Sequence, residues 1–569
     1  MKKLNLIIFV LFLMILLSSC SLFCTHEYEE KVVASTCVTE GYTEHTCKHC
    51  SDSYKDNYQP FIQHYFLGGP CTVCGMKEIT DNITPNTEWY SEETAMFTLT
   101  TKEELAGLAS LVNSGTDFKS KIVYLGSDID LGYYEWIPIG NSEHAFNGKF
   151  DADGHTVSSL KINAKDGYVG LFGNSCGQII NLNINNASIF ADHDYKYVSI
   201  VCGYTVSEIT NVSAKGFVEA AKSNFVGAIA GAANPGEMVY SKLYNFAAVK
   251  GADYVGGIMG EVTSNGIVQT DKITNTGDVT GASQVGGIFG HIGAKVGSSV
   301  YSATSSADIV GEYYVGGIVG KADSVSVSYC SNEGSTVTAN SYFTEGSNFY
   351  VWLGGYVGYG YNVDNCTNDV NITYTARGSF IGGIIGFSNG EITNCTNNGN
   401  IESYANDVGG IVGKITDIYG KVFTYQNLKN NGNVKGNNYV AGIVGYVYRR
   451  DNLNWNDSGF VVFDNVDNNG DVCGIDNVGG IIGFTYLDDP DWYEINIRGT
   501  KLTNKGSISG ENYVGELIGH YNFADGSMSS VSDYTVTGKI TVKGDLLEGE
   551  YDIGSDHNLT LTDRKVDGH

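Results

Sequence analysis

Positive charge is scarce in this sequence. Among 569 residues there are 34 Lys and Arg, five of them Arg, against 63 Asp and Glu, and the formal net charge is −29. A field of that sign repels phosphate backbones and anionic membrane surfaces, so nucleic acid is excluded as a partner. Proline is also rare, at 6 residues, beside 73 Gly and 38 Tyr. Helical periodicity is missing from the body of the chain. No apolar run reaches the roughly twenty residues that a membrane-spanning helix requires. Motifs of nucleophilic or metalloprotease catalysis (Ser-His-Asp, His-Glu-x-x-His, Cys-His) are absent as well.

The longest apolar run, Leu6 to Leu17, comes after Lys2 and Lys3 and ends at Ser18-Ser19-Cys20. A short positive segment, an apolar stretch too short to span and a small-residue end describe a secretory signal. Leu17-Ser18-Ser19-Cys20 resembles the lipobox of bacterial lipoproteins. The resemblance implies removal of residues 1–19, a lipid on Cys20, and residence on the extracellular face of a bacterial membrane. The chain beyond Cys20 is too long for one compact core, since single cores stop growing at about 250–300 residues. An elongated repeat escapes that limit.

Self-comparison finds the repeat. The string Tyr/Phe-Val-Gly-Gly-Ile-x-Gly reads Tyr254-Val255-Gly256-Gly257-Ile258-Met259-Gly260 in one copy. It recurs from Val285, Tyr314, Phe380, Val408, Tyr439, Val478 and Tyr513. Looser copies start at Tyr168, Val198, Phe225 and Leu353. Copies lie about thirty residues apart, a solenoid period. Between them stands Asn-x-Gly-x-Val/Ile, as in Asn275-Thr276-Gly277-Asp278-Val279, preceded by strings such as Ile392-Thr393-Asn394-Cys395. Each unit thus holds about three short alternating runs separated by Asn/Gly corners that tolerate left-handed backbone. Stacked unit on unit, these predict an all-β fold: a parallel β-helix of about a dozen coils, rising about 4.8 Å per coil.

The copies resemble the GLUG motif of large bacterial surface and secreted proteins. That resemblance covers roughly residues 97–520 and implies surface display and adhesion, with no transferable catalytic residues. Physically, the paired glycines are expected to let the chain turn sharply and to admit neighbouring strands or side chains at close range. The Val and Ile between them are expected to form buried ladders. Cys330, Cys366 and Cys395 hold matching places and are expected to stack as buried thiols, a geometry that suits disulfides poorly.

Thr101-Lys102-Glu103-Glu104 is a capping box. It opens a helix with Leu105, Leu108, Leu111 and Val112 on its apolar face, ended by Gly115. The helix is expected to cover the open edge of the first coil. Asp128 and Asp130 are either a calcium pair or solvent-facing residues of an alternating strand. Ile540 to Leu561 reads as a closing cap or short terminal strands. The expected domains are residues 1–19 (signal), 20–76 (Cys/His module), 77–96 (linker), 97–540 (β-helix) and 541–569 (cap or tail).

Residues 24–74 concentrate Cys24, His26, Cys37, Cys47, Cys50, His64, Cys71 and Cys74. The pairs Cys47-x-x-Cys50 and Cys71-x-x-Cys74 have the spacing of one tetrathiolate zinc site. Disulfides are the alternative in an extracellular protein. Either would staple a segment too small for its own core. The segment also resembles short Cys/His repeats of other bacterial surface proteins.

Three longer intervals carry aromatic-rich insertions, with Tyr350 and Trp352, with Tyr448 and Trp455, and with Trp492 and Tyr493. Insertions in solenoids emerge as loops, often on a binding face. These rings are candidates to meet a glycan or a host or matrix protein. The alternative is that they pack as satellite cores. Three functions therefore stay open. One is a lipid-anchored adhesin or binding scaffold. Another is a β-helix polysaccharide lyase or hydrolase, with carboxylates such as Asp488, Asp489 and Asp491 near Arg449 and Arg450. The third is a passive stalk.

Overall fold

A computed structural model describes the chain from residue 25 onward, except residues 38–40, 51, 60–63, 65, 67–68, 165–166, 192, 195, 334–335, 341–349, 376–378, 417–421, 450–458, 488–494, 522–529, 538, 543–559 and 566–569. Cys20 and Cys24 therefore lie outside the described residues. Two compact units divide at Ile79/Thr80.

The second unit is a parallel β-solenoid. Its coils begin with a short strand at each of the twelve motif copies, and these strands form a twelve-stranded parallel sheet in chain order. Register matches the motif letter by letter, with Val255 beside Val285, Val285 beside Val315 and Val440 beside Val478. Leu353 and Ile381 take the same place in coils where the motif is less regular. The Val and Ile of the motif are fully buried, as Val255, Ile258, Val285 and Ile288 illustrate. Stacked aliphatic ladders thus provide the core that a single coil cannot.

The motif glycines are required by proximity rather than by left-handed backbone. Gly256, Gly257 and Gly260 are absent from the positive-φ positions. A Cβ on Gly257 would stand 2.5 Å from Asn275 Cγ, and one on Gly256 would stand 2.6 Å from the Ile288 carbonyl. Left-handed backbone appears instead at the residue before the motif Val, as in Phe225, Tyr254 and Tyr439, and at a second corner, at Asn211, Lys242, Lys272, Asn394, Asn427 and Asn465. Asn tolerates that conformation best, because its short amide bonds locally. The Asn-x-Gly string is likewise no simple turn. Its Asn is buried, and its Gly277 lies too close to the Ala247 backbone to carry a side chain.

Those buried asparagines form a ladder. Asn397 Nδ2 donates to Asn430 Oδ1 (2.9 Å), Asn430 to Asn468 (2.8 Å) and Asn468 to Asn504 (2.8 Å). Each Nδ2 also donates to a carbonyl two residues on, as Asn430 does to Gly432 (2.8 Å). An amide has two donors and two acceptor sites, so an in-register column satisfies itself. Ser305 interrupts the column between Asn275 and Asn332.

Cys330, Cys366 and Cys395 are buried and free, one coil apart. Burial pushes the Cys330 and Cys395 thiols well above the usual range. The helix Lys102–Asn113 has the expected capping box, in which Glu104 N donates to Thr101 Oγ1 and Thr101 N to Glu104 Oε2, both at 3.2 Å. Its Leu105, Leu108 and Val112 are fully buried and join the core of the solenoid. Residues 80–96 are not a free linker. Ile83 is buried, and Trp89 stacks edge-on to Phe97 while its Nε1 donates to Asn86 O and Glu104 O. At the other end, Ile540–Val542 and Thr560–Lys565 add parallel strands to the preceding coils.

The first unit is a three-stranded antiparallel sheet of Tyr28–Val33, Gly41–Cys47 and Ser53–Gln59, with the middle strand central.

Candidate functional sites

Two side-chain columns lie side by side, one on the motif sheet and one on the neighbouring sheet. One is the residue before Val in each copy; the other is the residue directly after Ile-x-Gly. Neighbouring members stand one coil apart, which brings rings within stacking range. Near the capped end, Tyr168, Tyr197, Phe225 and Tyr254 succeed one another with centroid separations of 5.2, 5.6 and 4.7 Å. In the middle, Tyr314 and Trp352 lie 4.2 Å apart and nearly parallel, and Phe380 stands 6.0 Å beyond. The second column contributes Tyr359 and Phe387 at 5.1 Å, then Tyr446 and Phe484 at 5.5 Å.

Trp352 is therefore not a loop residue. It pairs with Tyr314 and Phe380 and is half-buried as one rung of the column, because Leu353-Gly354-Gly355 supplies the motif next to it. Tyr350 sits beside Phe380 at 5.2 Å and is 45% exposed. Tyr448 extends the same surface, 6.0 Å from Tyr446 and 6.2 Å from Tyr486. Trp455, Trp492 and Tyr493 lie outside the described residues, as do Asp488, Asp489, Asp491 and Arg450. The strand ending at Arg449 is described, but not that side chain.

Charged rungs divide the stripe. In the second column, His291 stands between Glu261 and Lys321. With both nitrogens protonated it donates to Glu261 Oε1 (3.1 Å) and Asp323 Oδ2 (3.0 Å), and Lys321 donates to the same Asp323 oxygen (2.7 Å). Burial opposes the imidazolium, but the two carboxylates outweigh it and hold His291 above its ordinary pKa. Further along, Lys414 Nζ lies 4.8, 4.5 and 4.6 Å from the Phe380, Tyr446 and Tyr448 ring centres, a cation enclosed by aromatic rings. Asp407, in the first column, is buried, which pushes its carboxyl up to about 7 against the opposing pull of Lys414.

Asp128 and Asp130 are each engaged by neighbouring donors. Asp128 Oδ1 accepts from Thr156 N (2.9 Å) and lies 3.1 Å from His155 Nδ1, while Asp130 Oδ1 accepts from Gly132 N (3.0 Å).

In the first unit the Cys-x-x-Cys pairs separate. Cys71 and Cys74 gather with Cys37 and His64, whereas Cys47 and Cys50 gather with His26. This corrects the single Cys47/Cys50/Cys71/Cys74 set expected from spacing. Each pair sits in its own tight turn: Cys47 N bonds Asp52 O, and Cys71 N bonds Met76 O with Gly75 at φ +72°. All cysteines among the described residues are free thiols. Spacing alone does not nominate Cys37, His64 and His26 as partners, although all three stand in the same Cys/His-rich segment. These groups have the donor chemistry to hold a metal ion.

No family model matches the chain, and neither does any solved structure. The chain is similar to halomucin of Haloquadratum walsbyi, at 31% identity over 135 residues. That match covers 23% of this chain but 1% of halomucin, so it assigns no family.

Proposed function

We propose that this chain is a lipid-anchored surface protein of the GLUG-repeat kind, which presents its solenoid as a binding scaffold for glycan or matrix-protein partners. The observation that carries this reading is the aromatic stripe, which runs over many coils on one face and is only partly buried. Tyr and Trp rings contribute large contact area at low entropic cost and are enriched where proteins meet partners. Because most rings already stack on one another, the stripe offers their rims and phenol hydroxyls rather than open faces. Open faces are left to outlying rings such as Tyr350 and Tyr513, which are 45% and 47% exposed. Such a surface suits an extended, uncharged partner spanning several coils, and the net charge of −29 disfavours polyanions.

Anchoring through Cys20 rests on the lipobox-like residues at the start of the chain.

The test is a screen of the protein against immobilised glycans and extracellular-matrix proteins, beside a Tyr350→Ala/Tyr448→Ala variant. Both residues sit at the margin of the stripe, so the fold should tolerate the change. Retention that falls at least tenfold in the variant supports the reading. Absence of any retention leaves a passive stalk, and shortened glycan in the wells moves the chain to the polysaccharide-degrading enzymes.

A further inference from the structure

We propose that the unit Met1–Ile79 binds two zinc ions at two separate sites. The first is formed by Cys37, His64, Cys71 and Cys74, whose donor atoms all lie within 4.8 Å of one another. Cys37 Sγ and Cys71 Sγ are 3.8 Å apart, and Cys74 Sγ is 3.2 Å from His64 Nδ1. Zinc bound tetrahedrally at about 2.3 Å from sulfur and 2.0–2.1 Å from nitrogen holds neighbouring donors about 3.5–3.8 Å apart. A disulfide would require about 2.05 Å between sulfurs. The sulfur separation therefore fits the edge of a coordination tetrahedron and not a covalent bond. Three thiolates and one imidazole also make a complete structural zinc set.

The second site has His26, Cys47 and Cys50, again within 4.8 Å, with Cys50 Sγ 3.5 Å from His26 Nδ1. The hairpin that carries it is shaped for a thiolate: His49 N lies 3.4 Å from Cys47 Sγ, so a backbone N–H points at the sulfur. Such N–H···S contacts favour the charged form that binds metal. Among the described residues three donors converge here, and His26 is exposed. Asp52 Oδ2 stands 3.7 Å from His26 Nδ1, outside the donor set.

Chemistry selects zinc over calcium or magnesium, because every donor in both sets is sulfur or imidazole nitrogen. The sheet of this unit is small, so the ions substitute for the core it cannot build.

Full-length protein purified under reducing conditions and loaded with Zn2+ should hold two ions per chain by elemental analysis. His26→Ala should lose one ion and keep the other, His64→Ala should lose the other alone, and the double variant both. His64→Cys guards against simple misfolding: it should keep two ions, and loading it with Co2+ should shift the thiolate charge-transfer band relative to the parent. A total of one ion per chain, lost completely on substituting any one of Cys47, Cys50, Cys71 or Cys74, would overturn the proposal in favour of one shared tetrathiolate site. Protein that takes up no zinc, with Cys37 and Cys71 oxidised to each other, would overturn it in favour of disulfides.

Discussion

Replacing Asn430 with Ala tests the buried amide column at its best-formed point. Asn430 is fully buried and makes three bonds: it receives Asn397 Nδ2, and it donates to Asn468 Oδ1 and Gly432 O. Alanine removes all three. Asn397 keeps its other bond to Gly399 O (2.8 Å), so its loss is partial. Asn468 Oδ1 and Gly432 O lose a buried donor, and each such loss costs about 1–3 kcal/mol. The sum is about 2–6 kcal/mol, with about 4 as the central value. In a solenoid the damage stays with near neighbours. Hydrogen exchange should therefore accelerate about 30-fold to 20,000-fold in the coils holding Asn397, Asn430 and Asn468, taking about 1.36 kcal/mol per factor of ten. The helix Lys102–Asn113 should exchange unchanged. Ser305→Asn is the converse. Ser305 Oγ has no hydrogen-bond partner, and an amide there would join Asn275 to Asn332 and slow exchange locally by about 1–2 kcal/mol. If Asn430→Ala shifts exchange by under about tenfold, or equally everywhere, the column does not hold the coils together.

Charges on the stripe set two further outcomes. Asp407 has a folded pKa of about 7, above about 3.9 unfolded, so it costs nothing at pH 3 and penalises the fold increasingly as pH rises to 7. Asp407→Asn should then stabilise by up to about 4 kcal/mol above pH 7 and be neutral at pH 3, as chemical denaturation at both pH values would show. His291 has the opposite sign: its raised pKa contributes stability that is complete below the ordinary imidazole value of about 6.5 and is lost as pH rises through the folded pKa. His291→Gln should flatten the stability profile above pH 6.5 and leave the pH 5 value of the parent higher than its own. A parent profile that is flat from pH 6 to 9 would contradict the Glu261–His291–Asp323 relay.

The solenoid is legible in the sequence because one string recurs twelve times and each copy must take the same place. Phase alone yields the coil, the aliphatic ladders and the stacked thiols. The rung held by Trp352 is implicit in the same phase, once Leu353-Gly354-Gly355 is aligned as a motif. The capping box is local chemistry and is equally plain. Burial of polar groups is not readable. Asn275 and its equivalents look like turn residues until register stacks them, since only a neighbouring coil can satisfy a buried amide. The motif glycines are ambiguous in a related way, because close approach and left-handed backbone select the same residue. The aromatic letter of the motif looks like mere scaffold, although its recurrence already implies a column. In the first unit, spacing within each Cys-x-x-Cys pair is informative. Which residues share an ion depends on how the unit folds, and folding brings in His26 and Cys37 from far along the chain.

Oxidative footprinting of the full chain, alone and with the glycan or matrix protein it retains, tests the binding stripe most directly. Stripe rings such as Tyr350, Tyr448 and Tyr513 should be protected, with exposed rings elsewhere, such as Tyr301 and Tyr329, labelled as before. A partner that protects those distant rings and leaves the stripe untouched would contradict a binding role for the stripe.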